Sequence, residues 1–187
     1  MRRVVLFVDT SLDGFMGGPD GGMDWMVPDD EVDKEFTTGL REDVDTILTG
    51  RVTYQSFEGF WPAAATDPSS PPDLVEIANW MLDTPKVVFS NTLDKVEMKN
   101  SRLATAGIAE EVAKLRQEPG NAMVVFGGAS TVQEFIKLGL VDEYRMKVHP
   151  VALGGGLPVF KDRVRLTLTR SKPYRSGVLG LYYEPVR

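Results

Sequence analysis

The sequence predicts an α/β fold in one domain, with a mixed, mostly parallel central sheet, helices on both faces and a C-terminal antiparallel hairpin. Short apolar runs of strand length alternate with segments of helical periodicity over most of the chain. Strand-like segments then follow one another directly towards the C terminus. The 187 residues show neither an internal repeat nor a linker, and this length suits one domain with a substantial core.

Apolar runs predict the strands of the first half, and apolar spacing predicts its helices. The helix over residues 29–40 begins at Asp29 or Asp30 and carries its apolar stripe on Val32, Phe36 and Leu40. Residues 58–72 are rich in Pro, Ala and Ser, which predicts a loop. The other predicted elements are strands over residues 3–8, 45–49 and 85–89 and a helix over residues 73–82.

The second half is organised around a buried strand over residues 122–126, which passes through Gly127 and Gly128 into a helix. Val132, Phe135 and Ile136 give that helix its apolar face. The hairpin strands alternate in polarity, as expected for strands with one wetter face. The other predicted elements are a minor strand over 103–105, a helix over 108–115, a strand over 142–149 and hairpin strands over 164–170 and 178–184.

Composition and charge exclude several classes of site. A formal net charge of -6 argues against nucleic acid or an anionic membrane as the main partner, because both select a basic surface. The chain has no cysteine, which excludes disulfides, thiolate catalysis and zinc–thiolate sites, and its one histidine, His149, excludes a histidine-rich metal site. We find neither a signal-peptide layout nor a run of membrane-spanning length, and so expect a cytoplasmic protein.

A long loop over residues 9–22, dense in Gly, Asp and Pro, follows the first strand and ends near Trp25. We expect it to be mobile. It carries large apolar side chains on Leu12, Phe15 and Met16. Such residues either cover a pocket or pack into the core, and the sequence leaves both possibilities open.

Three predicted strand ends carry residues that suit a phosphate: Gly50-Arg51-Val52-Thr53, Ser90-Asn91-Thr92 and Gly127-Gly128-Ala129-Ser130. Glycines let an anion approach the free N–H groups and partial positive charge of a helix start, and arginine offers a planar set of donors. The ends of parallel strands meet at one edge, where two helix starts could hold a diphosphate. Taken singly, each motif is also explained by an empty turn, or for Arg51 by a surface ion pair.

The order and spacing of the motifs resemble those of the dihydrofolate-reductase-like superfamily. The resemblance is carried by Ser11-Leu12-Asp13-Gly14, Thr49-Gly50-Arg51-Val52-Thr53-Tyr54 and Phe126-Gly127-Gly128-Ala129. Residues 148–156 and the terminal hairpin resemble the branch related to the reductase domain of bifunctional riboflavin-biosynthesis proteins. The resemblance covers nearly the whole chain, and it is more specific for the fold than for the substrate.

This resemblance implies NADPH as the reductant. Arg51 would bind the adenosine 2′-phosphate, and the loop from Asp13 to Trp25 would flank the nicotinamide. The residues expected to bind the cofactor are Thr49, Gly50, Arg51, Val52, Thr53, Ser90, Asn91, Thr92, Gly127, Gly128, Ala129, Ser130 and Thr131.

The proton donor is less well defined by the motifs. The carboxylates that stand near the family's positions are Asp13, Asp33 and Glu58, with Asp30 beside Asp33. Each could equally be a solvated or capping group. The residues that could stack on a flat heterocycle, or else pack in the core, are Trp25, Phe36, Tyr54, Phe57 and Trp61. We expect His149 to be structural or interfacial, since no nucleophile motif accompanies it.

The first functional hypothesis is an NADPH-dependent reductase of a small pterin-like or ribosylaminopyrimidine-like heterocycle. It corresponds to a 5-amino-6-(5-phosphoribosylamino)uracil reductase or a dihydrofolate reductase. The second is an NADP-binding module or sensor of the same fold without turnover. The third is a structural protein whose glycine turns are empty. The apolar terminal hairpin predicts a homodimer in each case.

Overall fold

The computed structural model describes residues 1–186 and confirms the α/β class. The strands are β1 (Val4–Ser11), β2 (Val44–Gly50), β3 (Lys86–Phe89), β4 (Ser101–Leu103), β5 (Ala122–Phe126), β6 (Glu143–His149), β7 (Leu166–Pro173) and β8 (Leu179–Pro185). The helices are α1 (Asp30–Asp43), α2 (Arg51–Thr66), α3 (Pro72–Asp83), α4 (Ile108–Leu115) and α5 (Ala129–Lys137). None of the helices in the described range is long and apolar enough to cross a membrane.

The strands form one sheet in the order β4-β3-β2-β5-β1-β6-β8-β7. The six strands from β4 to β6 are mutually parallel, whereas β8 runs antiparallel to both β6 and β7. The predicted mixed sheet and terminal hairpin are therefore confirmed. Because parallel strands point the same way, β1, β2, β3, β5 and β6 end along one side of the sheet, here called the carboxyl edge.

The central strands are buried on both faces, as their apolar runs predict. On β1, Val4, Leu6 and Val8 belong to the apolar cluster that includes α4 and α5. Val5 belongs to the opposite cluster, which includes Leu40 of α1 and residues of α3. The helices thus cover both faces, and the loops that follow the central strands lie at the carboxyl edge.

The expectation of a loop over residues 58–72 is wrong for its first half, because α2 continues to Thr66. Pro62 lies inside this helix and cannot donate a backbone hydrogen bond. Phe57 and Trp61 pack against the apolar cluster beneath α2, and Ala64 is buried. We attribute the continuation of the helix to this packing, which local composition does not reveal.

The loop predicted over residues 9–22 begins later than expected, because β1 continues to Ser11, and it is hydrogen-bonded to the loop after β6. Leu12 donates its N–H to the Val151 carbonyl at 2.7 Å, and Met16 donates to the Leu157 carbonyl at 2.8 Å. Met16 packs against the core, whereas Leu12 is 68% exposed. Met16 therefore follows the core alternative, whereas Leu12 does not pack into the core.

Candidate functional site

The starts of α2 and α5 lie against each other at the carboxyl edge. Their strands are neighbours, since Thr49 of β2 pairs with Phe126 of β5. A Cβ atom built on Gly50 would lie 2.1 Å from Oγ1 of Thr131, and one built on Gly128 would lie 3.8 Å from Oγ1 of Thr53. Each glycine thus meets the first turn of the other helix. We call this arrangement the paired helix starts.

The N-termini of these two helices differ from that of α1 in their capping and charge. Neither has a side-chain cap, and neither has an acidic residue in its first turn. In contrast, Asp29 caps α1 by accepting the N–H of Val32 at 3.1 Å, and acidic residues fill that first turn. Two aligned helix starts with unpaired N–H groups and partial positive charge suit a diphosphate.

A cleft of about 530 Å³ extends from the start of α5 past the end of β3. It includes Ser90 and Asn91 on one side and Ser130 and Thr131 on the other. Ser90 also shapes its own turn, since its Oγ accepts the N–H groups of Thr92 and Leu93 at 3.1 and 3.0 Å. The start of α4, which likewise has no side-chain cap, borders the same cleft.

Arg51 stands at the first position of α2 with an exposed side chain. Its guanidinium donates to Oε1 of Gln55 at 3.1 Å and, among the described residues, forms no ion pair with a carboxylate. It is thus available to a phosphate. Thr49 is fully buried and Val52 is exposed, so these two of the predicted cofactor residues contribute no polar side chain to the cleft.

Asp13 joins the two loops described above. Its carboxylate accepts the N–H groups of Leu153 and Gly154 at 3.0 and 2.7 Å and the hydroxyl of Ser11 at 2.7 Å. These hydrogen bonds, from Leu153 first, lower the pKa of Asp13 to about 2. A carboxyl that remains ionised to such low pH is a poor proton donor near neutrality.

The other two candidate carboxylates lie on different helices. Glu58 of α2 is exposed and accepts the hydroxyl of Tyr54 at 2.7 Å. Asp33 of α1 accepts from the ammonium of Lys147 at 2.8 Å. It lines a second cleft of about 530 Å³, between α1 and the start of α3.

Lys147 belongs to a buried polar network that the sequence analysis misses. Its ammonium also lies 2.9 Å from Asp9 Oδ1, the atom that His149 Nε2 approaches to 2.9 Å. Burial alone would raise the pKa of Asp9, but the hydrogen bond from His149 and the charge of Lys147 hold it below its ordinary value. Burial would likewise lower the pKa of Lys147, yet Asp9 and Asp33 raise it. Asp9 and Lys147 are register partners in the neighbouring strands β1 and β6, so the sequence can indicate this contact only once the strand register is known.

Four aromatic side chains form a continuous row that passes Gly127 at Phe126. This aromatic row consists, in order, of Phe7, Phe126, Phe57 and Trp61. Phe126 lies 5.6 Å from Phe7 and 5.9 Å from Phe57 between ring centroids, and Phe57 lies 6.2 Å from Trp61. The indole nitrogen of Trp61 is buried without a hydrogen-bond partner among the described residues. Ile77, which lines the cleft beside Asp33, packs in the same cluster.

The remaining predicted stacking residues have different environments. Phe36 and Tyr54 are buried, and the Tyr54 hydroxyl accepts the N–H groups of Glu97 and Met98. Their rings therefore belong to the core, which is the alternative to substrate stacking that the sequence leaves open for both residues. Trp25 is half-buried and packs edge-on against His149, with 5.5 Å between ring centroids. His149 itself is buried, in agreement with a structural role.

Comparison with known proteins identifies the family. The family model of the RibD C-terminal domain matches residues 2–179, and the chain belongs to this family. It is 36% identical over 186 residues to the Bacillus subtilis (strain 168) protein YyaP, covering 98% of this chain and 95% of the relative. It is 30% identical over 174 residues to YwjB of the same organism, covering 91% and 90%.

Solved structures show the same fold. A protein from Shewanella sp. PV-4 that is named for riboflavin biosynthesis superposes with a TM-score of 0.75 at 26% identity, covering 99% of both chains. Enterococcus faecalis dihydrofolate reductase, in complex with NADP(H) and RAB-propyl, gives 0.63 at 14% identity, covering 99% of this chain and 97% of the reductase. Acinetobacter baumannii RibD gives 0.64 at 17% identity, with 59% of that protein covered. The predicted dihydrofolate-reductase-like fold is confirmed.

Proposed function

We propose that the chain is an NADPH-dependent reductase that transfers hydride to a small heterocycle, either pterin-like or ribosylaminopyrimidine-like. One observation carries this proposal: two uncapped helix starts, each entered through glycine, converge at the carboxyl edge of the sheet. Such a site suits the pyrophosphate of a dinucleotide. The family and the NADP(H) complex of the reductase from Enterococcus faecalis are in accord with this assignment.

The chain offers a suitable group for each part of NADPH. The N–H groups at the paired helix starts, with Thr53 and Gly128, would hold the pyrophosphate. Arg51 would bind the 2′-phosphate, because its exposed guanidinium is a planar set of donors that pairs with no carboxylate among the described residues. Ser90 and Asn91 would line the adenosine cleft. The cofactor supplies the hydride, while the protein aligns the reactants and excludes water.

We place the heterocycle on the other side of the paired helix starts, along the aromatic row. Flat rings stack on aromatic side chains, and Phe126 directly precedes the glycines of the cofactor site. Among the candidate carboxylates we assign Asp33 as the one that faces the substrate, because it lines a cleft next to the apolar cluster that contains Trp61. The carboxylate of Asp13 already accepts the N–H of Gly154, and that of Glu58 accepts the hydroxyl of Tyr54.

Cofactor titration tests the proposal. We expect the parent chain to bind NADPH more tightly than NADH, and Arg51→Ala to lose about 1–3 kcal/mol of NADPH affinity, as expected for removal of a charged hydrogen-bond donor. Arg170→Ala is the matched control, since Arg170 is an exposed arginine on β7 paired with Glu35. An absence of NADPH binding, or equal affinities for NADPH and NADH in parent and variant, would contradict the proposal.

A binding module without turnover is the second candidate. It is favoured by one observation: the carboxylate of Asp33 already forms an ion pair with the ammonium of Lys147. A panel of pterins, pyrimidines and quinones distinguishes the two. NADPH that binds but is oxidised with none of them supports the module, whereas turnover with any of them supports the reductase.

A further inference from the structure

Lys147 joins three elements on the substrate side of the proposed site. From β6 its ammonium reaches Asp9 on β1 at 2.9 Å and Asp33 on α1 at 2.8 Å. It also lies 5.3 Å from the ring centroid of Phe7, an end member of the aromatic row. The side chain of Lys147 is 11% exposed, whereas that of Asp33 is 57% exposed. A buried cation thus holds a carboxylate that reaches the cleft.

His149 extends this network to the loop that carries Trp25. The N–H of Val27 donates to Nδ1 of His149 at 3.1 Å, so Nδ1 carries no proton. The ring proton is then on Nε2, which donates to Asp9 at 2.9 Å. The imidazole is neutral in this arrangement, and an unbroken line of polar contacts runs from the loop to Asp33.

We propose that Lys147 is a positioning residue, which holds the Asp33 carboxylate against the substrate site and couples it, through Asp9 and His149, to the loop. This inference rests on the proposed function, in which the heterocycle lies beside Asp33. A purely mechanical link between α1 and the sheet would need no buried charge. Desolvating an ammonium and a carboxylate costs more free energy than an apolar contact of the same shape.

Charge balance predicts the effect of removing Lys147. Asp9, whose side chain is 13% exposed, would keep only the imidazole as a partner. A second proton on His149 would compensate the buried negative charge of Asp9. Nδ1 would then be a donor, and the hydrogen bond from Val27 would be lost. Removal of Lys147 is therefore expected to break the ion pair that holds Asp33. It is also expected to release the loop that carries Trp25 from His149 of β6.

Lys172 provides a matched control. From β7 its ammonium bridges Glu31 and Glu35 of the same helix α1, and it lies 4.6 Å from the ring centroid of Tyr174. Lys172→Met therefore deletes a second ammonium that links α1 to the sheet through two carboxylates. It leaves Asp9, Asp33 and His149 with their partners.

The first experiment compares turnover in the parent, Lys147→Met, Lys147→Arg and Lys172→Met, each with NADPH and the best heterocycle of the panel. We expect Lys147→Met to lower kcat by about tenfold or more, because misplacement of a reacting group costs at least that much. NADPH affinity and the kcat of Lys172→Met should stay within about twofold of the parent, as for neutral surface changes. Lys147→Arg should recover part of the loss. A parent-like kcat in Lys147→Met overturns the positioning role.

The second experiment needs no turnover and uses the fact that His149 is the single histidine. Imidazole nitrogen NMR at one neutral pH should show one protonated and one unprotonated ring nitrogen in the parent and in Lys172→Met. It should show both nitrogens protonated, and a perturbed Val27 amide, in Lys147→Met. An unchanged imidazole spectrum overturns the coupling. If Lys147→Met does not fold, Lys147→Gln, which also removes the positive charge beside Asp9, should show both imidazole nitrogens protonated, and a parent-like spectrum in that variant overturns the coupling. A parent that reduces nothing contradicts the proposed function alone, because the NMR result still decides the coupling.

Discussion

Gly50 and Thr131 approach so closely that a Cβ atom on the glycine would lie 2.1 Å from the threonine Oγ1. Gly50 immediately precedes α2, Thr131 lies in the first turn of α5, 81 positions later in the chain, and the strands that lead into these helices are neighbours in the sheet. The absence of a side chain at position 50 is thus what permits the two helix starts to lie this close together, as the proposed pyrophosphate site requires. This relationship makes the site sensitive to one methyl group.

Gly50→Ala should destabilise the protein by about 1–3 kcal/mol, the usual cost of overpacking, and weaken NADPH binding. Adding Thr131→Ala removes the clashing hydroxyl, so the double variant should recover part of the lost stability. Gly59→Ala is the control, because no atom lies within 4 Å of its added Cβ inside α2. That change should stabilise the helix by up to about 1 kcal/mol. Urea unfolding and NADPH titration measure both effects, and a Gly50→Ala protein that behaves like Gly59→Ala would refute the steric argument.

The sequence predicts this part of the site because its signals are local. A strand, one or two glycines and an amphipathic segment specify a strand-to-helix turn at Gly50 and again at Gly128. The convergence of the two turns also follows from the parallel order, which places successive strand ends at one edge. The identity of the contacting atoms requires the three-dimensional packing.

Asp13→Ala should lower the stability of the protein at neutral pH, since it removes the hydrogen bonds from Leu153 and Gly154 that add to the backbone bonds between the two loops. The pKa of Asp13 is about 2 when folded, against an ordinary value of 3.8. Its contribution is therefore complete above about pH 4 and is lost as the pH falls towards 2. Unfolding of parent and variant between pH 7 and 2 measures this difference, which should shrink with acidification.

Asp20→Ala is the control for that comparison. Asp20 accepts a single N–H, from Gly22, within its own loop. A stability loss in Asp13→Ala that equals the loss in Asp20→Ala, or that persists unchanged at pH 2, would show that the connection between the loops contributes little.

Lys86→Met tests a buried ammonium at the end of α3. Lys86 donates to the carbonyls of Met81, Leu82 and Thr84, at 2.7, 3.2 and 2.6 Å. Burial lowers its pKa from 10.5 to about 8. Between these values the unfolded chain holds a proton that the folded chain has released, so this group's contribution to stability rises with pH. The stability of the parent relative to Lys86→Met should therefore increase from about pH 8 to pH 10.

Chemical unfolding at several pH values measures that difference, in which all other titrating groups cancel. Lys99→Met serves as the comparison, because the side chain of Lys99 is exposed and paired with Asp83. A relative stability of Lys86→Met that does not change with pH would contradict the assignment of a destabilising buried charge.

Tyr54→Phe should cost about 1–3 kcal/mol of stability, because the backbone N–H groups of Glu97 and Met98 lose their acceptor. Glu58→Gln keeps an acceptor for the Tyr54 hydroxyl and should change stability little. The same substitution tests the proton-donor role considered for Glu58, because an amide cannot supply a proton as a carboxyl group does. A large loss of turnover with stability preserved would restore Glu58 as the acid and displace Asp33.

The parts of the molecule that sequence reasoning misses depend on distant partners. Asp33 and Lys147 are separated by 114 positions, and nothing near either residue indicates the other. The prolines and alanines after Glu58 suggest a loop, but the cluster beneath α2 stabilises a helix through Pro62. In both cases tertiary contacts, rather than local preference, determine the outcome.

Strand β7, one of the two edge strands of the sheet, limits how two copies of this chain could associate. Its free side would be a ready template for another strand, but its pairing with β8 is irregular between Leu168 and Arg170, and Lys172 and Pro173 follow. Irregular pairing, cations and proline discourage uncontrolled strand addition and aggregation. Extension of the sheet from β7 of one molecule into the next is therefore disfavoured.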